Sequence, residues 1–279
     1  MITHTFAHIP GVSIMAESFL WNRGIRNWDD LFRIGPRIWL PRRLYLRIAE
    51  ELTLSQEALS KGDLSYFTNR LAPKLYWRVI REFQKQAIYL DIEATGLNPA
   101  IDKITVIGIY DGKEVRSFYR GKNLEEATAI LQANRFWVTY MGSYFDLPFL
   151  KLNFPQLSPE FHLDLHALSR YDGQPVSLKS LEKKIGIYRE EPLCYLNGSS
   201  AVELWQKHQN GDSCAMKLLL RYNGEDIINL ENLLIYTYNY YIRRTPFAQE
   251  MLPFKNRPPL DDSYDRELAW EVSRLYQRQ

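Results

Sequence analysis

Four carboxylates and one phenol, carried on three short stretches far apart in the chain, have the residue types to gather around metal ions. They are Asp91 and Glu93 in YLDIEATGL, Asp146 in GSYFDLPFL, and Tyr222 and Asp226 in YNGEDIINL. Strand alternation sends Asp91 and Glu93 to one face, about 7 Å apart, where like charges repel unless a cation lies between them. Hard oxygen ligands of this kind suit Mg²⁺ or Mn²⁺. Tyr222 and Asp226 are four residues apart, so on a helix they share a face and reach one point, where a phenol beside a ligating acid can orient an attacking water. Such a set has the makings of a two-metal site for phosphodiester hydrolysis.

The elements that must position these groups are readable around them. An apolar run leads into Asp91 and is followed by Thr95-Gly96-Leu97-Asn98-Pro99, a turn, so the first two acids stand at the end of a strand. Asp146 opens a short helix in which Pro148 suits the first turn and the early acid suits the helix dipole. Between Ser213 and Tyr241, Met216, Leu219, Leu220, Ile227, Leu230 and Leu234 recur at three- and four-residue steps, one buried stripe of a long helix.

A D-x-E strand, an F-D helix start and a Y-x-x-x-D helix, in that order, resemble the tyrosine subgroup of the DEDD exonucleases of the ribonuclease-H-like superfamily. The stretch FHLDLHALSRYDGQPVSLKSLEKKIGIYR is similar to the YprB-type branch, and the resemblance spans roughly residues 86 to 240. It implies two ions, Mg²⁺ or Mn²⁺, with Asp91 bridging both. Glu93 and Asp226 would complete the site for the ion that activates water, Asp146 would hold the second ion through its waters, and Tyr222 would position the nucleophile. The implied reaction is hydrolysis from a 3′ end. One position departs from the pattern: where relatives carry Asn five residues before the second-motif Asp, this chain has Met141, which puts substrate placement rather than metal binding at issue.

Composition agrees with a globular chain. With 46% apolar and 24% charged residues, 279 residues bury one sizeable core and a smaller one. No apolar run is long enough for a membrane span and the first residues lack a secretory pattern. Two cysteines, Cys194 and Cys214, make neither a disulfide framework nor a four-thiolate metal site, so a cytoplasmic setting is expected. The net charge of +2 is unevenly spread: Met1 to Lys85 carries 13 basic and 8 acidic side chains, a surplus of five, leaving −3 for the rest. A basic first part reads as a contact for DNA or RNA phosphates.

That first part reads as helical, with runs broken at Gly24 and at Lys61-Gly62-Asp63. Its segment HIPGVSIMAESFLWNRGIRNWDDLF resembles a helix-hairpin-helix unit, with Ser13 where the second hairpin glycine usually stands; an accessory helical domain is an equal reading. His162, Asp164 and His166 have a spacing that could gather a metal, but local hydrogen bonding is the expectation. Lys179, Lys183, Lys184 and Arg189 read as a solvated face rather than a strand clamp. Leu252 to Asp262 reads as a linker or loop, followed by a short helix.

The expected fold is a mixed α/β ribonuclease-H-like sheet, with strands near 86–92, 102–110, 114–119 and 136–140. Helices near 123–133, 145–152, 177–186, 200–210 and 213–241 would flank it. The expected organisation is a helical domain over 1–85, the catalytic domain over 86–245, and a linker with a short helix over 246–279. Three functions fit: a metal-dependent 3′-to-5′ exonuclease, an endonuclease on the same scaffold, and a non-catalytic nucleic-acid-binding protein.

Overall fold

A computed structural model describes residues 1–35, 40–169 and 176–275. Part of the YprB-like stretch, residues 170–175, and the last residues of the terminal helical pattern lie outside the described residues. The chain falls into two units, Met1–Lys85 with Thr237–Pro253, and Gln86–Tyr236 with Phe254–Gln279. Of the residues after 246, those up to Pro253 group with the first unit and the rest with the second.

In the first unit lie α1 (Ile14–Asn22), α2 (Trp28–Ile34), α3 (Arg42–Ser60), α4 (Leu64–Thr68) and α5 (Ile80–Phe83). Ser13 caps α1 by accepting the Ala16 N–H, and Gly11, two residues earlier, takes the left-handed backbone, φ +85°. Gly62 ends the α3 region at φ +66° and Asp63 caps α4. A buried Glu17–Arg78 pair at 2.7 Å, with Glu17 also accepting the Phe6 and Ala7 amides, ties the N-terminal loop to the residues before α5.

The second unit is built on a five-stranded sheet in the order β3-β2-β1-β4-β5. Its strands are β1 (Ala87–Ala94), β2 (Ile104–Tyr110), β3 (Val115–Tyr119), β4 (Phe136–Thr139) and β5 (Phe161–Asp164). β1, β2 and β3 are antiparallel neighbours, whereas β4 and β5 run parallel to β1. β5 is a strand beyond the four expected; its four residues FHLD lack a long apolar run and form a strand by pairing with β4.

Alternation along β1 sorts its residues to two faces. Ile88, Leu90, Ile92 and Ala94 enter a core with Ile107, Ile109, Leu131, Trp137, Phe149 and Leu150, which draws in α6 (Ala127–Ala133) and α7 (Asp146–Asn153). Tyr89, Asp91 and Glu93 alternate with that set and belong to the opposite face. There Val106 joins a second core with residues of α10 (Gly198–Gln209), α11 (Ser213–Ile242) and α12 (Arg266–Leu275). The short α8 (Leu165–Leu168) and α9 (Leu178–Lys184) complete the described helices of this unit. α12, whose partner is not evident from sequence, buries Leu268, Ala269 and Val272 in the core that also holds Leu204 and Trp205 of α10.

Asp212, just before α11, accepts the Cys214 and Ala215 amides and so caps the helix start. The Pro-containing segment is strapped to this helix rather than free. Asn232 exchanges two hydrogen bonds with the Lys255 backbone at 2.9 and 2.8 Å, and Arg257 pairs with Glu225.

The close approach of α11 to the sheet depends on Gly108, which pairs with Asp91 across β1 and β2. A Cβ at this position would lie 2.0 Å from Asn223 Oδ1 and 3.2 Å from Ile227 Cδ1. Gly108→Ala should therefore push α11 off the sheet and cost about 1–3 kcal/mol, as overpacking does. Denaturant unfolding checks this, and an unchanged midpoint would mean that the helix has room to spare.

Candidate functional site

Asp91, Glu93 and Asp226 converge. One carboxylate oxygen from each lies within 4.8 Å of the others, bringing the end of β1 against the middle of α11. Glu93 and Asp226 are buried and Asp91 is half-buried. Three hard anionic ligands in so small a space fit a divalent cation with oxygen coordination, and no soft ligand is among them.

Asp146 lines the same cleft but sits apart from the three-acid group. Its Oδ1 accepts the Ile92 N–H at 3.0 Å. The reason lies in the sheet: β1 pairs with β4 only over Ala87–Tyr89, so farther along β1 that edge is open. Asp146 at the start of α7 supplies the partner that the Ile92 amide needs. The cleft, about 600 Å³, is lined by all four acids and Tyr222, with Leu97, Met141, Tyr144 and the start of α10 around them.

The loop after β1 is shaped by Asp102. It accepts from Thr95 Oγ1 at 3.0 Å and the Asn98 amide at 2.9 Å, and a Cβ on Gly96 would run into its carboxylate. On the other side of the cleft Met141 has a left-handed backbone, φ +63°. Asp164 holds that turn by accepting the amides of Met141 at 2.9 Å and Ser143 at 3.1 Å, and it also caps α8 through the His166 amide. Met adopts this left-handed backbone at a conformational cost that Asn would largely avoid. His162 bonds Thr139 at 2.8 Å and His166 packs edge-on to Tyr140, so the H-x-D-x-H spacing serves local structure.

Three further residues belong to the site. Asn223 donates to Asp91 Oδ2 at 2.8 Å and to its backbone carbonyl at 3.3 Å. Arg189 is buried, contrary to the expected solvated face, because its guanidinium is clamped between acids. Nε and Nη2 grip Glu182 at 2.8 and 2.5 Å, and Nη2 reaches Asp226 Oδ1 at 2.5 Å. Lys179 is also drawn in, bonded to the carbonyls of Cys194 and Leu196 with its ammonium 5.7 Å from the Tyr222 ring centre. Lys183 and Lys184 are exposed, as expected. The signal for Asn223 was present in the chain: a full polar amide one residue from Tyr222 on a largely buried helix must find a partner. The partners of Arg189 are 7 and 37 residues away in sequence, and no local pattern announces them.

Burial raises the Asp91 carboxyl well above its ordinary range, and Asp146, Asp226 and Glu93 push it further. Glu93 is raised likewise, by burial and then by Asp226 and Asp146. Burial takes Asp146 up to about 7, against the opposing Ile92 hydrogen bond. Burial and the neighbouring Asp226 keep the Tyr222 phenol protonated far above neutrality.

Without metal, these three acids retain protons in the folded chain at pH values where the unfolded chain has released them. Their contribution to stability is therefore full below the unfolded pKa of about 4 and is lost as pH rises through the folded values, about 7 for Asp146. Chelator-treated protein should melt at a lower temperature at about pH 8 than at about pH 5.5, and saturating Mn²⁺ should remove most of that difference. A metal-free melting temperature that climbs over this interval would contradict the burial of the acids.

No curated protein matches the chain. Among solved structures, Brucella melitensis NrnC is similar at 18% identity and a TM-score of 0.42, over 70% of this chain and 87% of that one. The same protein bound to pGG is similar at 17% identity and a TM-score of 0.41, over 62% and 80%. The family B DNA polymerase of the hyperthermophilic archaeon Pyrobaculum calidifontis is similar at 14% identity and a TM-score of 0.44, over 58% of this chain and 26% of the polymerase. A family model described as the RNase_H superfamily matches residues 88–238, which is more than half of the chain and takes in β1 from Ile88 on, α7 and the acid-bearing part of α11. The chain belongs to the RNase_H superfamily.

Proposed function

We propose that this protein is a metal-dependent 3′-to-5′ exonuclease of the DEDD type, tyrosine subgroup and YprB-type branch, acting on DNA or RNA. The observation that carries the reading is the convergence of Asp91, Glu93 and Asp226 within 4.8 Å in a cleft shared with Asp146 and Tyr222. Asp91 would contact both of two ions, Glu93 and Asp226 would complete the hold on one, and Asp146 would serve the second through water. Mg²⁺ or Mn²⁺ bound there would activate water and neutralise charge on the leaving oxygen of the phosphodiester.

The protein's own groups divide the remaining work. Asn223, donating to Asp91 Oδ2, fixes that carboxylate and leaves Oδ1 for a ligand. Tyr222 keeps its phenolic proton at neutral pH, so it would orient the attacking water or the scissile phosphate through a hydrogen bond and would not take up a proton. Asp146, held at Oδ1 by the Ile92 amide, keeps its other oxygen for a ligand's water. The cleft walls of Leu97, Met141 and Tyr144 are apolar and exposed, surfaces on which an unpaired base can rest.

A digestion series with Mn²⁺ or Mg²⁺ on 5′-labelled strands tests the reading. Stepwise shortening from a free 3′ end, abolished by a 3′ block and by Asp91→Ala, is expected. Cutting of blocked or circular strands would make the enzyme an endonuclease, and no metal-dependent change in any substrate would make it a non-catalytic binder. Tyr222→Phe should keep metal and nucleic-acid binding and slow single-turnover cleavage by roughly 10- to 1,000-fold, the loss expected for one positioning hydrogen bond. Cleavage by that variant at the parent rate would remove Tyr222 from the mechanism.

A further inference from the structure

Arg189 poses a problem that a plain metal-binding role for the acids leaves open. It is 8% exposed, and its Nη1 is buried with no hydrogen-bond partner. Glu182, 1% exposed, accepts two of its N–H groups and a third bond from Asn229 at 2.8 Å. That clamp fixes the guanidinium so that Nη2 also reaches Asp226 Oδ1. Among the described residues, no other ion pair involves Asp91, Glu93, Asp146 or Asp226. The neighbouring cation, Lys179, is committed to the carbonyls of Cys194 and Leu196.

From this we infer that Arg189 is a resident counter-cation and positioning residue of the acid site. Clamped by Glu182, it holds Asp226 in place, lowers the repulsion among the gathered carboxylates before metal arrives, and competes electrostatically with the incoming ions. The inference rests on the metal-dependent reading above. Its physical basis is charge. Without Arg189 the site is one unit more negative, so it is harder to hold together empty and attracts a divalent cation more strongly. Glu182 sets the balance, because it shares the guanidinium with Asp226. With Glu182 neutralised, Arg189 has Asp226 as its one charged partner and shields it more fully.

The test is Mn²⁺ titration of chelator-stripped, full-length protein, followed by calorimetry and thermal unfolding, beside single-turnover cleavage. Arg189→Met should lower the melting temperature of the metal-free chain, enlarge the Mn²⁺-induced rise, and reduce the half-saturating Mn²⁺ concentration by roughly tenfold. Glu182→Gln should move Mn²⁺ affinity the other way, and it supplies the decisive reading if Arg189→Met does not fold. Arg189→Lys keeps the charge but cannot grip both acids at once, so it should retain near-parental Mn²⁺ affinity while cleavage falls about 10- to 100-fold in kcat with little change in KM. A residue that merely fills space would lower stability without moving Mn²⁺ affinity in opposite directions in the two charge-changing variants. Unchanged or weaker Mn²⁺ binding in Arg189→Met, or unchanged or tighter binding in Glu182→Gln, overturns the inference while leaving the nuclease reading intact. A parent chain that neither binds Mn²⁺ nor cleaves overturns both.

Discussion

Everything around the cleft answers one electrostatic demand: three carboxylates from β1 and α11 are held within 4.8 Å, with a fourth beside them, where burial raises the cost of their negative charge. Bringing like charges together in such a medium costs several kcal/mol per group unless protons or cations offset it. The fold supplies partial answers from different directions. The open edge of β1 gives the Ile92 amide to Asp146, Asn223 gives its amide to Asp91, and the clamped guanidinium of Arg189 reaches Asp226. Those contacts order the acids without removing their common need for positive charge, and that need makes a divalent cation the natural occupant.

Helix α11 is where most of this organisation is concentrated. A long helix covering a sheet needs only an apolar stripe, yet this one carries four asparagines, each matched to a particular partner. Asn223 meets Asp91, Asn229 meets Glu182, Asn232 meets the backbone of Lys255, and Asn239 exchanges two hydrogen bonds with Leu252. Asparagine is a poor helix former and costly to bury unpaired; these bonds offset that cost at the Nδ2 groups, while Oδ1 of Asn223 and of Asn229 is buried without a partner. The same helix thus places Tyr222 and Asp226, steadies Asp91, supports the Glu182–Arg189 clamp and straps down the Pro-containing segment. Gly108 beneath it allows the approach that makes these contacts possible.

Much of the sheet and the long helix was legible in the chain because each has a strong local signal. The apolar run into Asp91 and the three- and four-residue spacing from Met216 to Leu234 act over short distances, and β1 and α11 fall where these place them. The fifth strand was not among the expected four, because Phe161–Asp164 is short and owes its conformation to β4. The basic residues after Ser177 misled for a related reason. A lysine or arginine looks solvated unless its partners are known, and those of Arg189 come from another helix and from its own hidden neighbour Glu182. Asp146 shows a finer limit: its position at a helix start was evident, but its use of one oxygen on the Ile92 amide depends on where β4 stops pairing with β1.

The most direct measurement of the central claim is the position of bound metal itself. Crystals of the chain soaked in Mn²⁺ and recorded near the manganese absorption edge would give anomalous density for each ion. The account predicts a peak within coordination distance of Asp91, Glu93 and Asp226, and a second between Asp91 and Asp146 when nucleotide is present. Fully occupied manganese elsewhere, with Asp226 bound only to Arg189 and no peak among the three acids, would contradict it.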